Sequence, residues 1–185
     1  MEKFKLDKEK ITLLIIDLQE KLLPAMPERD KVIKNTKILL ALAKEYDFPV
    51  IVTEQYAKGL GATVPEIKES LSDYYLIEKN TFSAWDQALQ EALKTIGTNK
   101  SQTLIVVGTE THVCVFQTVR DLLARGYNIQ LVRDGVCSRY KENHENGIEL
   151  MQAMGAVITN TETVAFDCLV QSGGTVFKNI SALIK

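Results

Sequence analysis

Short apolar runs rich in β-branched residues alternate along this chain with longer segments of helical period, and that alternation leaves few folds open. The runs are Ile11 to Ile16, Val50 to Thr53, Tyr74 to Ile77, Thr103 to Val107, Ile129 to Val132 and Val157 to Thr159. Between them the spacing predicts helices over Lys31 to Glu45, Ala84 to Leu93, His112 to Ala124 and Asn143 to Met154. In the first of these, Val32, Leu39, Leu40 and Ala43 share one face. The expected product is a six-stranded parallel sheet built from β-α-β units. Thr161 to Lys185 reads as one or two helices split by Gly173 and Gly174. Ala57 to Pro65 reads as a functional loop. It contains G-x-G, but no third glycine follows and it opens no long helix, so a dinucleotide fingerprint is not met.

A chain of 185 residues with 45% hydrophobic and 25% charged content is expected to form one domain, 1–185. At this size it needs no disulfide or metal staple. The formal net charge of -2 gives no footprint for a phosphate backbone, so nucleic acid is not an expected partner. MEKFKLDKEK is too charged for a signal-peptide core, and the runs LLII and LIVV fall far short of the roughly 18 residues that span a membrane. A cytoplasmic protein is the expectation. Cys114, Cys137 and Cys168 are widely spaced and fit neither a disulfide framework nor a zinc knuckle.

In an open parallel sheet, ligands bind beyond the carboxyl ends of the strands. Asp17 follows LLII directly; it is either a loop or cap residue or a general base balanced between burial and a nearby cation. Lys79 follows YYLIE and is either an exposed lysine or the partner of Asp17. In TLIVVGTETHVCVFQTVRDLLARG a strand, a tight turn and a helix succeed one another. With Thr111 as N-cap, Cys114 falls in the first helical turn, where free N–H groups and the dipole favour a thiolate. A buried, inert cysteine is the competing reading. The same N–H groups suit an oxyanion.

Cys137, in the loop after Arg133 and Asp134, and Cys168 read as structural. His112 stands two residues from Cys114 on another side of the helix, which disfavours a Cys-His dyad. His144 reads as a solvated residue at a helix start. No histidine has ligand spacing, so no metal or other cofactor is expected. Phe82 and Trp85 are either pocket wall or core, with the wall preferred for Trp85. Gln19, Gln55 and Tyr56 are polar groups able to orient a small substrate, or simply surface residues.

LLIIDLQEKLLP around Asp17, EKNTFSAW around Lys79 and VVGTETHVCV around Cys114, followed by LLARGYNIQLVRDGVCSR, resemble the isochorismatase-like cysteine hydrolases nearly end to end. VTEQYAKGLGATVPEI resembles the isochorismatase-domain-containing subgroup in particular. The resemblance implies a Rossmann-like three-layer α/β/α sandwich and a triad of Asp17, Lys79 and Cys114. It also implies a cis bond at Thr109–Glu110, an oxyanion hole from the backbone N–H groups of Glu110 and Cys114, and a homo-oligomer. Nicotinamidases of this family carry Asp and His metal ligands after the second strand, where this chain reads TEQY; a metal-free relative is implied. Cys114 points to C–N hydrolysis of an amide-like substrate. A non-catalytic binding or interaction protein, or a redox-sensing thiol, is the alternative from another class.

Overall fold

The computed structural model describes residues 2–185. Six strands form one parallel sheet: β1 (Ile11–Ile16), β2 (Val50–Gln55), β3 (Tyr75–Lys79), β4 (Thr103–Thr109), β5 (Asn128–Cys137) and β6 (Val157–Thr159). Their spatial order is β3-β2-β1-β4-β5-β6. The chain therefore winds outward from β1 to one edge, then returns to the centre with β4 and winds to the other. The order reverses between β1 and β4, and ligands in such sheets bind at that reversal.

β1 is buried at every position, which is why it reads as an unbroken apolar run. Alternate side chains enter opposite layers: Leu13 and Ile15 join one core, Leu14 and Ile16 the other. The first layer is made by α1 (Arg29–Tyr46), α7 (Thr161–Leu169) and α8 (Gly174–Ile184). The second is made by α4 (Gln87–Ile96), α5 (Phe116–Leu123) and α6 (Lys141–Ala153). Two of the starts follow simple capping chemistry: Asp86 accepts the Leu89 N–H at 3.0 Å ahead of α4, and Asn160 accepts the Thr163 N–H at 2.8 Å ahead of α7.

Four expectations need correction. The stretch Ala57 to Pro65 is not all loop: it holds the single-turn α2 (Ala57–Leu60) and opens α3 (Pro65–Lys68). β3 runs on to Lys79, so the lysine ends the strand instead of following it. β5 continues through Arg133 and Asp134 to Cys137, which is therefore a buried strand residue and not a loop residue. Its register against β4 shifts between Val106 and Gly108, which lets the strand persist past a polar pair. The helix expected over His112 to Ala124 begins as a separate π-type turn, Thr111–Val115, before α5.

Gly108, on β4 beside β1, has φ 133° and lies so close to its neighbour that an added Cβ would stand 2.1 Å from the Ile16 carbonyl oxygen. Glycine is required here for both reasons. Gly108→Ala is expected to destabilise the fold by about 3 kcal/mol or more, since β1 and β4 must separate or the backbone must move. A urea midpoint within error of the parent protein would contradict that.

Candidate active site

Asp17 leaves β1 with its backbone in the left-handed region, φ 51°, a conformation that aspartate tolerates better than most residues. That turn is held on both sides: the Asp17 N–H donates to the Thr53 carbonyl at 3.2 Å, and Thr109 Oγ1 donates to the Asp17 carbonyl at 2.8 Å. The carboxylate is fully buried. Its Oδ1 accepts from Thr53 Oγ1 at 2.6 Å and its Oδ2 from Lys79 Nζ at 2.6 Å.

The Lys79 ammonium is as deeply buried as its partner, with both side chains at 0% exposure. Removing a charge pair from water is costly unless the remaining donors are satisfied. Here they are: Nζ also donates to Gln55 Oε1 at 2.8 Å, to the Phe82 carbonyl at 3.1 Å and to the Thr81 carbonyl at 3.3 Å. A second set of bonds fixes these acceptors. Gln55 Nε2 donates to the Asn80 carbonyl at 2.9 Å, and Gln19 Oε1 accepts the Gln55 N–H at 2.7 Å. Gln19 Nε2 in turn donates to the Gln55 carbonyl at 3.0 Å and the Gly61 carbonyl at 2.6 Å. Both glutamines thus serve to hold Lys79 and the following loop, and the Gln19 amide is saturated by backbone.

Cys114 lies in the turn Thr111–Val115 at 5% exposure. Its thiol lies within the electrostatic reach of the Asp17 carboxylate, the Lys79 ammonium and the Glu110 N–H. Burial first, and the Asp17 charge second, push the thiol pKa up from 9.0 to about 12, with the Lys79 charge pulling the other way. This corrects the expectation of a dipole-stabilised thiolate. No side chain caps the turn, so Thr111 is not an N-cap; Cys114 rests as a thiol beside a carboxylate. The Cys114 carbonyl accepts from Thr118 Oγ1 at 2.7 Å, and that hydroxyl accepts the Ala84 N–H at 2.9 Å, tying the turn to the segment after Lys79. The Thr109–Glu110 peptide is cis.

Cys137 and Cys168 are pushed to about 12 by burial as well. Each of the three raised thiols favours the folded state fully below pH 9 and withdraws that contribution as pH rises towards 12, because the unfolded thiol ionises first. The slope reaches about 1.4 kcal/mol per pH unit for each. Stability to urea is therefore expected to fall steeply between pH 9 and 11, and substitution of Cys137 and Cys168 by alanine to flatten the fall. An unchanged slope would contradict it.

Other residues sit less centrally. Phe82 is 55% exposed and contributes its carbonyl to Lys79. Trp85 packs on Tyr127 with ring centroids 6.0 Å apart and under the Arg125 guanidinium at 4.4 Å, residues that follow the end of α5. Tyr56 is 56% exposed and lines a cleft of about 400 Å³ with Lys58, Glu78, Lys79 and Asn80. Larger hollows, about 880 Å³ beside Lys5 and Lys8 and about 620 Å³ beside Lys34 and Lys37, contain none of the triad.

In TEQY, the Glu54 carboxylate is occupied by the Thr63 N–H at 2.7 Å and hydroxyl at 2.8 Å. Among the described residues no group of three or more His, Cys, Asp or Glu is placed to hold a metal. His144 is not solvated as expected; its Nδ1 lies 3.0 Å from Thr111 Oγ1, and burial, then the Arg133 and Lys31 charges, lower its pKa. His112 engages Ser138 and not the thiol. Thr53 was no candidate from sequence, although its place beside the last residue of β1 is the signal that finds it. Among the described residues no helix is long and apolar enough to cross a membrane.

A buried thiol, carboxylate and ammonium at the reversal point of a parallel α/β/α sheet define an isochorismatase-like hydrolase fold. The isochorismatase domain model matches residues 12–163, and the chain belongs to that family. It is 35% identical to the secreted isochorismatase effector Isc1 of Phytophthora sojae over 94% of this chain and 83% of that one. A structure described as MAR1 ribonuclease from Caenorhabditis elegans superposes with a TM-score of 0.89 at 34% identity, covering 97% of this chain and 92% of that one. The YcaC product of Escherichia coli, described as an octameric hydrolase of unknown specificity, gives a TM-score of 0.83 at 27% identity, with 97% and 87% covered.

Proposed function

We propose that this chain is a cysteine hydrolase that cleaves a C–N bond in a small amide-like molecule. The observation that carries the reading is that one fully buried carboxylate, Asp17, is bonded to the Lys79 ammonium and lies close enough to the Cys114 thiol to raise its pKa. A thiol with so high a pKa is a poor nucleophile until its proton is removed, and the base for that step is already close by.

Asp17 takes the proton as the sulfur attacks the carbonyl carbon. The S–C bond forms, and the carbonyl oxygen becomes an oxyanion received by the N–H groups of Glu110 and Cys114. Collapse breaks the C–N bond, and the amine leaves with the proton from Asp17. Water then gives a proton to the same carboxylate and attacks the thioester, releasing the acid and restoring the thiol. Lys79 keeps the carboxylate placed and its charge balanced throughout. Nucleophile, base and oxyanion donors all come from the chain, so a chelator is expected to leave turnover intact.

The narrow exposure of Cys114 favours a small substrate. The octameric YcaC relative supports a homo-oligomer, which size-exclusion chromatography tests directly. The site is tested by offering small amides, ureas and carbamoylated amines and measuring released amine or ammonia, with RNA included because of the relative described as a ribonuclease. Amine release that requires Cys114 is the expected result. Nucleotide release without any amine would overturn the reading. Cys137 and Cys168 belong to the core on the opposite face of the sheet from Cys114, which leaves the redox-sensor alternative without a resolving thiol.

A further inference from the structure

Glu110, directly before the turn that carries Cys114, and the first two residues of that turn are each tied by a side chain to a single segment, 138–144. Glu110 Oε2 accepts from the Arg139 main-chain N–H at 3.0 Å and from its Nε at 3.1 Å. Thr111 Oγ1 lies 3.0 Å from His144 Nδ1. His112 Nδ1 lies 3.0 Å from Ser138 Oγ, and its Nε2 lies 3.3 Å from Asn143 Nδ2. α6 closes on the same turn, since a Cβ at Gly147 would stand 3.1 Å from the His112 Cα.

Among these ties only the one at Glu110 is charged, and its carboxylate side chain is 9% exposed. Burial of an anion in that position requires a specific partner, and Arg139 supplies two donors to one oxygen. Glu110 also stands directly before the turn that carries Cys114, and its main-chain N–H acts on the thiol. One residue thus carries an anchor on its side chain and an oxyanion donor on its backbone.

We propose that the Glu110 carboxylate, locked by Arg139, is a positioning group that sets the Glu110 N–H where it receives the oxyanion, and so governs acylation of Cys114 far more than it governs the reactivity of the thiol itself. The inference rests on the hydrolase reading above. An oxyanion donor acts over a window of a few tenths of an ångström, and displacement by about 1 Å costs up to about a hundredfold in rate.

Two reagents separate the roles. Acylation of the intact protein by 4-nitrophenyl acetate forms an S–C bond to the acetyl carbon, passes the thiol proton to Asp17 and breaks the ester C–O bond to release 4-nitrophenolate. Alkylation by iodoacetamide passes the thiol proton to Asp17, forms an S–CH2 bond and breaks the C–I bond to expel iodide, with no carbonyl oxyanion. Both adducts at Cys114 are read by peptide mass spectrometry. Glu110→Ala is expected to slow acylation about 10- to 100-fold while alkylation changes by less than about threefold. Glu110→Gln, whose amide oxygen can accept the same N–H groups, recovers most of the loss, and Arg139→Ala, which keeps its main-chain donor, falls between. Equal loss in both reactions, or no loss in either, overturns the proposal. The hydrolase reading fails differently: a Glu110-dependent acylation with no amide cleaved would refute the amide substrate alone, whereas a Cys114 inert to both reagents in the parent protein would refute both.

Discussion

Cys114→Ala and Cys114→Ser are expected to lose turnover by about a thousandfold or more, with the melting temperature close to that of the parent protein. The loss follows from chemistry: the other groups on the Asp17 carboxylate, the Thr53 hydroxyl and the Lys79 ammonium, are fully buried and committed to it, and both Cys137 and Cys168 lie in the core on the far face of the sheet. The serine variant is the sharper comparison. It retains a donor to Asp17 and nearly the same volume, yet its hydroxyl is far harder to ionise than the thiol. Steady-state amine release together with a thermal melt reads both quantities, and a serine variant within tenfold of the parent would show that the sulfur is not the attacking atom.

Lys79→Met carries the largest expected effect on stability. It removes the ammonium from a carboxylate that has no access to water, and a buried charge without its partner costs about 3–5 kcal/mol. Domains hold only about 5–15 kcal/mol in reserve, so the melting temperature should fall by about 6–20 °C. Adding Asp17→Asn to Lys79→Met removes the orphaned charge and is expected to return most of the lost stability, because Thr53 Oγ1 can still donate to the amide oxygen. Activity should not return with it. A double variant as unstable as the single one would mean that the pair matters for packing and not for charge balance.

Much of this was legible in the chain, for identifiable reasons. β1 and β6 occupy the residues their apolar runs mark, and β1, buried at every position, leaves an uninterrupted signal. The triad could be sought at strand ends because a parallel sheet puts them there. Periodicity fails where the pattern breaks locally while the hydrogen-bond ladder does not. Arg133 and Asp134 look like the end of β5, but the strand continues to Cys137, and Asp134 Oδ1 instead holds the start of α7 by accepting the Thr161 N–H at 2.8 Å. The packing of Trp85 is hidden for another reason: its partners, Arg125 and Tyr127, lie 40 and 42 residues on, and nothing near position 85 announces them. The electrostatics of Cys114 are the third case. A helix start favours an anion, yet the thiol is enclosed and faces a carboxylate, and burial outweighs the dipole.

The return of the chain to the middle of the sheet has a consequence for how such a molecule could arise or be divided. Carboxylate and ammonium hang from the strands that lead to one edge, and the sulfur from those that lead to the other. Neither half, expressed by itself, would own a complete set of reactive groups. A break introduced near residues 99–101, in the link before β4, offers a stringent complementation assay: two fragments, each inert, whose mixture regains amine release only if the central seam between β1 and β4 re-forms.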